Sequence, residues 1–272
     1  PGDVVVIHDI LSDVFQSYSG SLAVLLRKRQ LKHCSKIIAA SQFIKKDLLK
    51  LHINPEKIEV IYNGVDHNLF YPRTADSLVD QSEDIAYIQP FAIKRPYIIY
   101  ASRLSKPEKK HAELIKAFSL FKKNTGLPHK LVLAGNENPY AEHIHRLVSA
   151  SAYSSDILIT GHFPHENFFD LYAFSDACVF PSVREGVGLP VIEAMASGIP
   201  VACADAGSLR EIAGDFALYF NPDDIESFAK AIEQIIIDKK LRQTLVKGGI
   251  DRTKRFSWEK TAQKTVDLLK SL

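Results

Sequence analysis

The stretch from Ala177 to Pro200 places a short apolar run, Ala177-Cys178-Val179-Phe180, ahead of a glycine-bearing loop and a helical segment. Strand, loop and helix in that order are the repeating unit of an open α/β sheet. Pro190 suits the first helical position, where its missing N–H has no partner in any case. Gly198 and then Pro200 stop the helix. Gly186 and Gly188 let the backbone come close to a ligand where a Cβ would obstruct it. A helix N-terminus behind such a loop offers unpaired N–H groups and a positive dipole end, which suits phosphate. Glu185 and Glu193 bracket this turn with seven residues between them. Carboxylates repel phosphate, so they should face the hydroxyls of a polyol. Phosphate in the middle and polyol at both ends describe a nucleotide sugar.

The rest of the chain repeats the pattern. Residues 4–8 read as a strand ending at His8-Asp9, Leu22 to Leu31 as a helix, and Lys36 to Ala40 as a strand. Ser41 caps a helix through about Leu51, and Ile58 to Tyr62 forms the next strand after the Asn54-Pro55 turn. Such alternation implies a parallel sheet with right-handed crossovers. Three strands before residue 63 are few for a doubly wound domain, and the chain opens at Pro1, so residues 1–72 read as the second half of one. Tyr62-Asn63-Gly64-Val65-Asp66 is a turn, and the polar stretch from Thr74 to about Asp84 reads as a surface loop or linker.

Strands are expected at Tyr97 to Ser102, Leu131 to Ala134, Ile157 to Thr160, Ala177 to Phe180, Val201 to Ala204 and Ala217 to Phe220, with helices between them. Ser208 is placed to cap the helix around Glu211. These elements make a complete second sheet. The last segment, from Ser257-Trp258-Glu259 to Leu272, reads as a docking helix.

Composition excludes several classes. The 34 Lys and Arg nearly balance 32 Asp and Glu, so the net charge of +2 gives no reason to expect a nucleic-acid partner. Cys34, Cys178 and Cys203 are singletons, read as buried thiols in a reducing compartment. No apolar run approaches the ~20 residues that cross a bilayer, and no signal peptide is visible. G-x-G-x-x-G is missing after the first complete strand, which weighs against a nicotinamide enzyme. There is no Asp-x-Asp at a strand end to hold a metal, and no cofactor is expected. Arg27, Lys28, Arg29, Lys32 and Lys36 form a basic cluster, either a solvated helix face or a patch for an acidic membrane surface.

The loop Glu185-Gly186-Val187-Gly188-Leu189-Pro190 with Glu193 resembles the Glu-x7-Glu signature of the group 1 retaining glycosyltransferases, and the agreement runs from about Asp3 to the C-terminus. The resemblance implies the GT-B fold, an α/β architecture of two Rossmann-like parallel-sheet domains facing a cleft, here with the N-terminal one truncated. Residues 1–72 would be the acceptor-side domain, 73–94 a linker or surface loop, 95–254 the nucleotide-sugar domain, and 255–272 a helix crossing back to the first domain.

Arg103 sits just past a strand end, where open α/β sheets bind ligands, and Lys109 precedes the next helix. The resemblance assigns both to the diphosphate, with Lys110 as the alternative lysine. It further implies that Glu193 accepts hydrogen bonds from the ribose hydroxyls and that Glu185 contacts the donor sugar, with the backbone of Gly186, Val187, Gly188 and Leu189 serving sugar and phosphate. It places His8 in the cleft at the donor sugar. The loop carrying Phe163 is expected at the base, while His162 and the remaining histidines read as structural or surface residues.

The expected reaction is transfer of a hexose from a UDP- or GDP-linked donor, with retention, to a hydroxyl of a glycan or lipid-linked acceptor. Such an enzyme of polysaccharide or lipopolysaccharide synthesis would be cytoplasmic, at the inner face of the membrane if the basic patch is used. A donor-binding but inactive chain, a phosphorylase and a sugar-nucleotide epimerase are the alternatives.

Overall fold

The computed structural model describes residues 3–10, 22–72, 85–88 and 90–272. Its first sheet has three parallel strands in the order β1 (Val4–Ile7), β2 (Lys36–Ala39) and β3 (Ile58–Val60). Helix α1 (Leu22–His33) joins β1 to β2 and helix α2 (Gln42–Lys50) joins β2 to β3. Ser41 begins α2 in extended conformation, its hydroxyl accepting the Ile44 amide as the sequence suggests. Ile37, Ala39, Ile44, Leu48 and Ile58 form this domain's core. Leu22, Leu25 and Leu26 of α1 are exposed.

Two antiparallel strands follow, β4 (Ile85–Ile88) and β5 (Phe91–Lys94). The stretch 73–94 reads from sequence as linker, yet its end is a hairpin: Ile88 and Ile93 are buried, and the Phe91 ring stacks on Phe163 at 5.6 Å. Residues 73–84, including the polar run from Thr74 to Asp84, lie outside the described residues.

The second sheet has six parallel strands: β6 (Tyr97–Ala101), β7 (Lys130–Ala134), β8 (Ile157–Gly161), β9 (Ala177–Phe180), β10 (Val201–Ala204) and β11 (Leu218–Phe220). Their spatial order is β11-β10-β9-β6-β7-β8. Every residue of β6, β9 and β10 is buried, as parallel strands covered on both faces require. Crossovers are α3 (His111–Thr125), α4 (Ala141–Ser149), α5 (Phe168–Ala173), α6 (Leu189–Ala196) and α7 (Leu209–Ala213), and α8 (Ile225–Ile237) and α9 (Lys239–Thr253) follow β11. The chain winds one way from β6 through β7 to β8, then returns to β9 on the other side of β6. That reversal makes a crevice at the carboxyl ends of β6 and β9.

Helix α10 (Trp258–Lys270) crosses back to the hinge between the domains. Val65 N–H donates to the Phe256 carbonyl at 3.3 Å and the Thr261 hydroxyl to the Tyr62 carbonyl at 2.7 Å.

Two local expectations are corrected. Pro190 is the second residue of α6, with Leu189 first. Ser208 precedes α7 without capping it, its backbone being already helical (φ −85°, ψ −4°) and its hydroxyl buried with no partner.

Candidate active site

The crevice holds a cavity of about 370 Å³. Its lining brings together Arg103, Lys109, Glu185, Pro190, Glu193 and Phe163, residues spread over 90 positions of sequence (103 to 193). Arg103 comes from the turn after β6, Lys109 from a short 3-10 turn before α3, and Glu185 from the loop after β9. Ala134, Gly135 and Asn136 enter from the end of β7, and His162 with Phe163 from the end of β8. Each strand end thus supplies part of one wall.

The cations are arranged unequally. The Lys109 ammonium lies 2.6 Å from Glu185 Oε1. Lys110 points away and is held by Glu113 at 3.1 Å and Asp223 at 2.6 Å. Geometry therefore selects Lys109 over its neighbour. Glu185 pairs with Lys109, leaving Arg184 to Glu108 at 3.2 Å. The Val183 amide also donates to the Glu108 carbonyl at 3.0 Å, so the turn before α3 and the loop after β9 are stitched together. Arg103 is exposed and has no ion pair among the described residues.

The loop itself is docked on the first domain. Val187 and Leu189 pack into the cluster of Ile37, Ile44 and Leu48. The Gly186 carbonyl accepts the Ser41 hydroxyl at 2.6 Å. A Cβ on Gly186 would stand 2.5 Å from the His8 carbonyl oxygen and 3.0 Å from Ile44 Cδ1, so only glycine allows this approach. Gly188 has φ +73°, and α6 starts with no side-chain cap. The amides of Gly186, Val187 and Gly188 donate to no group among the described residues. His8 stands outside the cavity lining; its ring is 3.3 Å from the Asn63 amide, and its carbonyl meets the loop.

Glu193 lies in the first turns of α6 with its carboxyl group against the buried Tyr172, whose hydroxyl donates to Oε2 at 3.4 Å. Burial raises its pKa to about 7, partly offset by the Tyr172 hydrogen bond. Near neutrality this carboxyl is poised between acceptor and donor.

At the far end, Phe163 stacks on Phe91 and meets Phe168 edge-on at 5.2 Å. His162, which the sequence reads as structural or surface, lines the cavity with Nδ1 2.7 Å from Asn136 Oδ1. Asn136 is not singled out by the sequence at all. Both lie just past a strand end, the signal that selects Arg103, and it applies equally to β7 and β8.

Two Rossmann-like sheets facing a cleft, with a strand-end cavity and a helix N-terminus behind a glycine loop, define a GT-B glycosyltransferase architecture. The profile of the family described as Glycosyl transferases group 1 matches residues 81–252, and that of Glycosyltransferase Family 4 matches residues 4–69. The chain belongs to the group 1 glycosyl transferases. It is 28% identical over 237 residues to the O-antigen chain mannosyltransferase B of Escherichia coli, covering 87% of this chain and 60% of that protein. It is 31% identical over 215 residues to the O-antigen chain mannosyltransferase RfbU of Salmonella typhimurium, covering 77% and 53%. The chain thus spans three fifths or less of these relatives. Among solved structures, Anabaena Alr3699/HepE in complex with UDP and glucose superposes with TM-score 0.83 at 23% identity, covering 99% of this chain and 71% of that one. The sucrose-phosphate synthase of Thermosynechococcus elongatus gives 0.81 at 25%, covering 98% and 67%.

Proposed function

We propose that the cavity binds a nucleoside-diphosphate hexose and that the complete protein transfers the hexose, with retention of configuration, to a hydroxyl of a glycan or lipid-linked acceptor. The observation that carries this reading is the meeting of Arg103, Lys109, Glu185 and Glu193 around one cavity at the mouth of the glycine loop. The diphosphate would lie between the two cations and the free amides before α6. Nucleoside diphosphate gains negative charge as it departs, so fixed cations and N–H groups stabilise the transition state more than the ground state. Lys109 is held ready by Glu185, which itself turns to the sugar. Glu193, when ionised, accepts from both ribose hydroxyls, because a carboxylate offers two oxygens to a vicinal diol. The base would rest at Phe163, between His162 and Phe168.

The close approach of the His8 carbonyl to Gly186 supports a polar oxygen at the sugar end of the proposed donor. Glu185, the carboxylate on that side among the described lining residues, is held by Lys109, so displacement from the front face, with the leaving phosphate helping to deprotonate the acceptor, is the mechanism we adopt. The two relatives named as O-antigen mannosyltransferases favour mannose as the hexose and a polysaccharide acceptor. The basic residues of α1, beside its exposed leucines, would suit the acidic inner face of a membrane where lipid-linked acceptors lie.

A second reading rests on length. Because this chain spans about 60% of its relative, it would bind donor yet transfer nothing alone. Calorimetry with UDP, GDP and their glucose and mannose conjugates, run beside a transfer assay, tests both. Binding with transfer supports the enzyme, and binding alone supports the second reading. Absence of binding by any nucleoside diphosphate would overturn both.

A further inference from the structure

The first turn of α2 carries amides that no residue of its own domain fully satisfies. Gln42 N–H donates to Glu211 Oε1 at 2.7 Å and Phe43 N–H to Glu211 Oε2 at 3.0 Å. Glu211 belongs to α7, in the other domain. Ser41 takes the third amide, that of Ile44, and spends its own proton on the Gly186 carbonyl. One helix N-terminus is therefore capped across the cleft by a carboxylate that uses both oxygens, with the sign of charge its dipole favours.

Glu211 is itself held from behind. Arg252 donates from Nη2 to the Glu211 carbonyl at 2.6 Å and from Nε to the Ile212 carbonyl at 2.7 Å. The Tyr62 phenol, at the hinge, is raised in pKa first by burial and then by the neighbouring Glu211 carboxylate, so the two side chains lie close together. Three residues upstream, the Ser208 amide donates to the Glu185 carbonyl at 3.0 Å. The same short segment thus grips α2 with a side chain and the donor loop with its backbone.

We propose that Glu211 is a positioning residue, a carboxylate clasp that holds α2 against the loop of Glu185 to Leu189 and so keeps the His8 carbonyl at the sugar end of the cavity. Its consequence for turnover rests on the transfer reading above; the clasp itself is a statement about domain geometry. Arg103, Lys109 and Glu193 all belong to the second domain, so loosening the clasp separates the first domain from the site without dismantling the nucleotide pocket.

The test compares Glu211→Ala and Glu211→Gln in the full-length protein. Spin labels at Lys46 and Glu142, both exposed, report the separation of the domains by pulsed electron resonance. Glu211→Ala is expected to lengthen and broaden that distance, and Glu211→Gln to fall between, since its amide oxygen replaces one acceptor of two. UDP and GDP affinities stay at wild-type values while kcat for transfer in Glu211→Ala falls at least about tenfold, since two charge-assisted hydrogen bonds are lost and each is worth about that much. Wild-type distances and kcat in Glu211→Ala overturn the proposal. If Glu211→Ala does not fold, the distance in Glu211→Gln decides. If the wild-type protein binds neither UDP nor GDP, the donor reading fails while the distances still judge the clasp.

Discussion

The Lys109 ammonium and the Glu185 carboxylate meet at 2.6 Å at the mouth of the cavity, each partly exposed to it. This pair joins the turn before α3 to the start of the glycine loop and keeps a cation on the cavity wall. On the proposed reading, a diphosphate arriving there would exchange one anionic partner of Lys109 for another, so the charge would not be left without a counterion. The lysine next in sequence cannot substitute, being bound on another face by Glu113 and Asp223.

Lys109→Ala should therefore weaken UDP and GDP binding about ten- to a hundredfold, the equivalent of one charge-assisted hydrogen bond of about 1.5–3 kcal/mol. Arg103→Ala should do the same, whereas Lys110→Ala should leave affinity near wild type. Titration calorimetry of the three variants checks this; equal losses for Lys109→Ala and Lys110→Ala would refute a specific clamp.

Glu193 makes binding and stability depend on pH in opposite senses. Its folded pKa of about 7 lies above the ordinary 4.5, so its contribution to the stability of the free protein is full below 4.5 and is lost as pH rises through 7. Holding the carboxylate charged above pH 7 costs about 3 kcal/mol at 1.36 kcal/mol per unit. Glu193→Gln should accordingly raise the melting temperature of the free protein at pH 8 and change little at pH 4.5. On the proposed reading the ionised form would accept two ribose hydroxyls, so wild-type affinity for UDP or GDP should increase from pH 6 to pH 8, and Glu193→Gln should abolish that trend. Melting curves and calorimetry across this range test both statements.

Gly186→Ala should disrupt closure. The added methyl would meet the His8 carbonyl and Ile44, and overpacking of this kind costs about 1–3 kcal/mol. Loss should appear in denaturant stability and in transfer, with the carbonyl of His8 pushed from the loop. Unchanged stability would show that the domains do not meet at this glycine in solution.

Far from the cavity, Asp156 holds two lysines, Lys122 at 2.8 Å and Lys130 at a shorter contact. The Lys122 side chain is buried and also donates to the Leu127 and His129 carbonyls. Asp156→Ala would leave that ammonium in the interior without its counterion, a loss of about 3–5 kcal/mol by the usual cost of breaking a buried pair. The lysine contacts hold the Asp156 pKa below its ordinary 3.8 against an opposing burial effect, so this stability persists at neutral pH and fades only as acid protonates the carboxylate. Chemical denaturation at pH 7 measures the loss; a change below about 1 kcal/mol, typical of a surface pair, would contradict the assignment.

Local chemistry written along the chain was enough to establish the alternating α/β pattern, the second six-stranded sheet, and the strand, glycine loop and helix from Ala177 to Pro200. Apolar runs, caps and glycines act through neighbours in sequence, and Ser41 caps the helix it was expected to cap, while Ser208 does not. What only the tertiary structure decided are pairings over long sequence separations. The resemblance had already preferred Lys109 to Lys110, but what holds the second lysine elsewhere, Asp223 lying 113 residues on, only the fold shows. The elevated pKa of Glu193 comes from burial against Tyr172, which no local pattern near either residue records. Asn136 and His162 became cavity residues because β7 and β8 end beside β6, and Glu211 became an interdomain contact because α2 and α7 face across the cleft. Such contacts depend on which faces the folded chain turns toward each other, a property of the packing of both sheets that no single stretch of sequence contains.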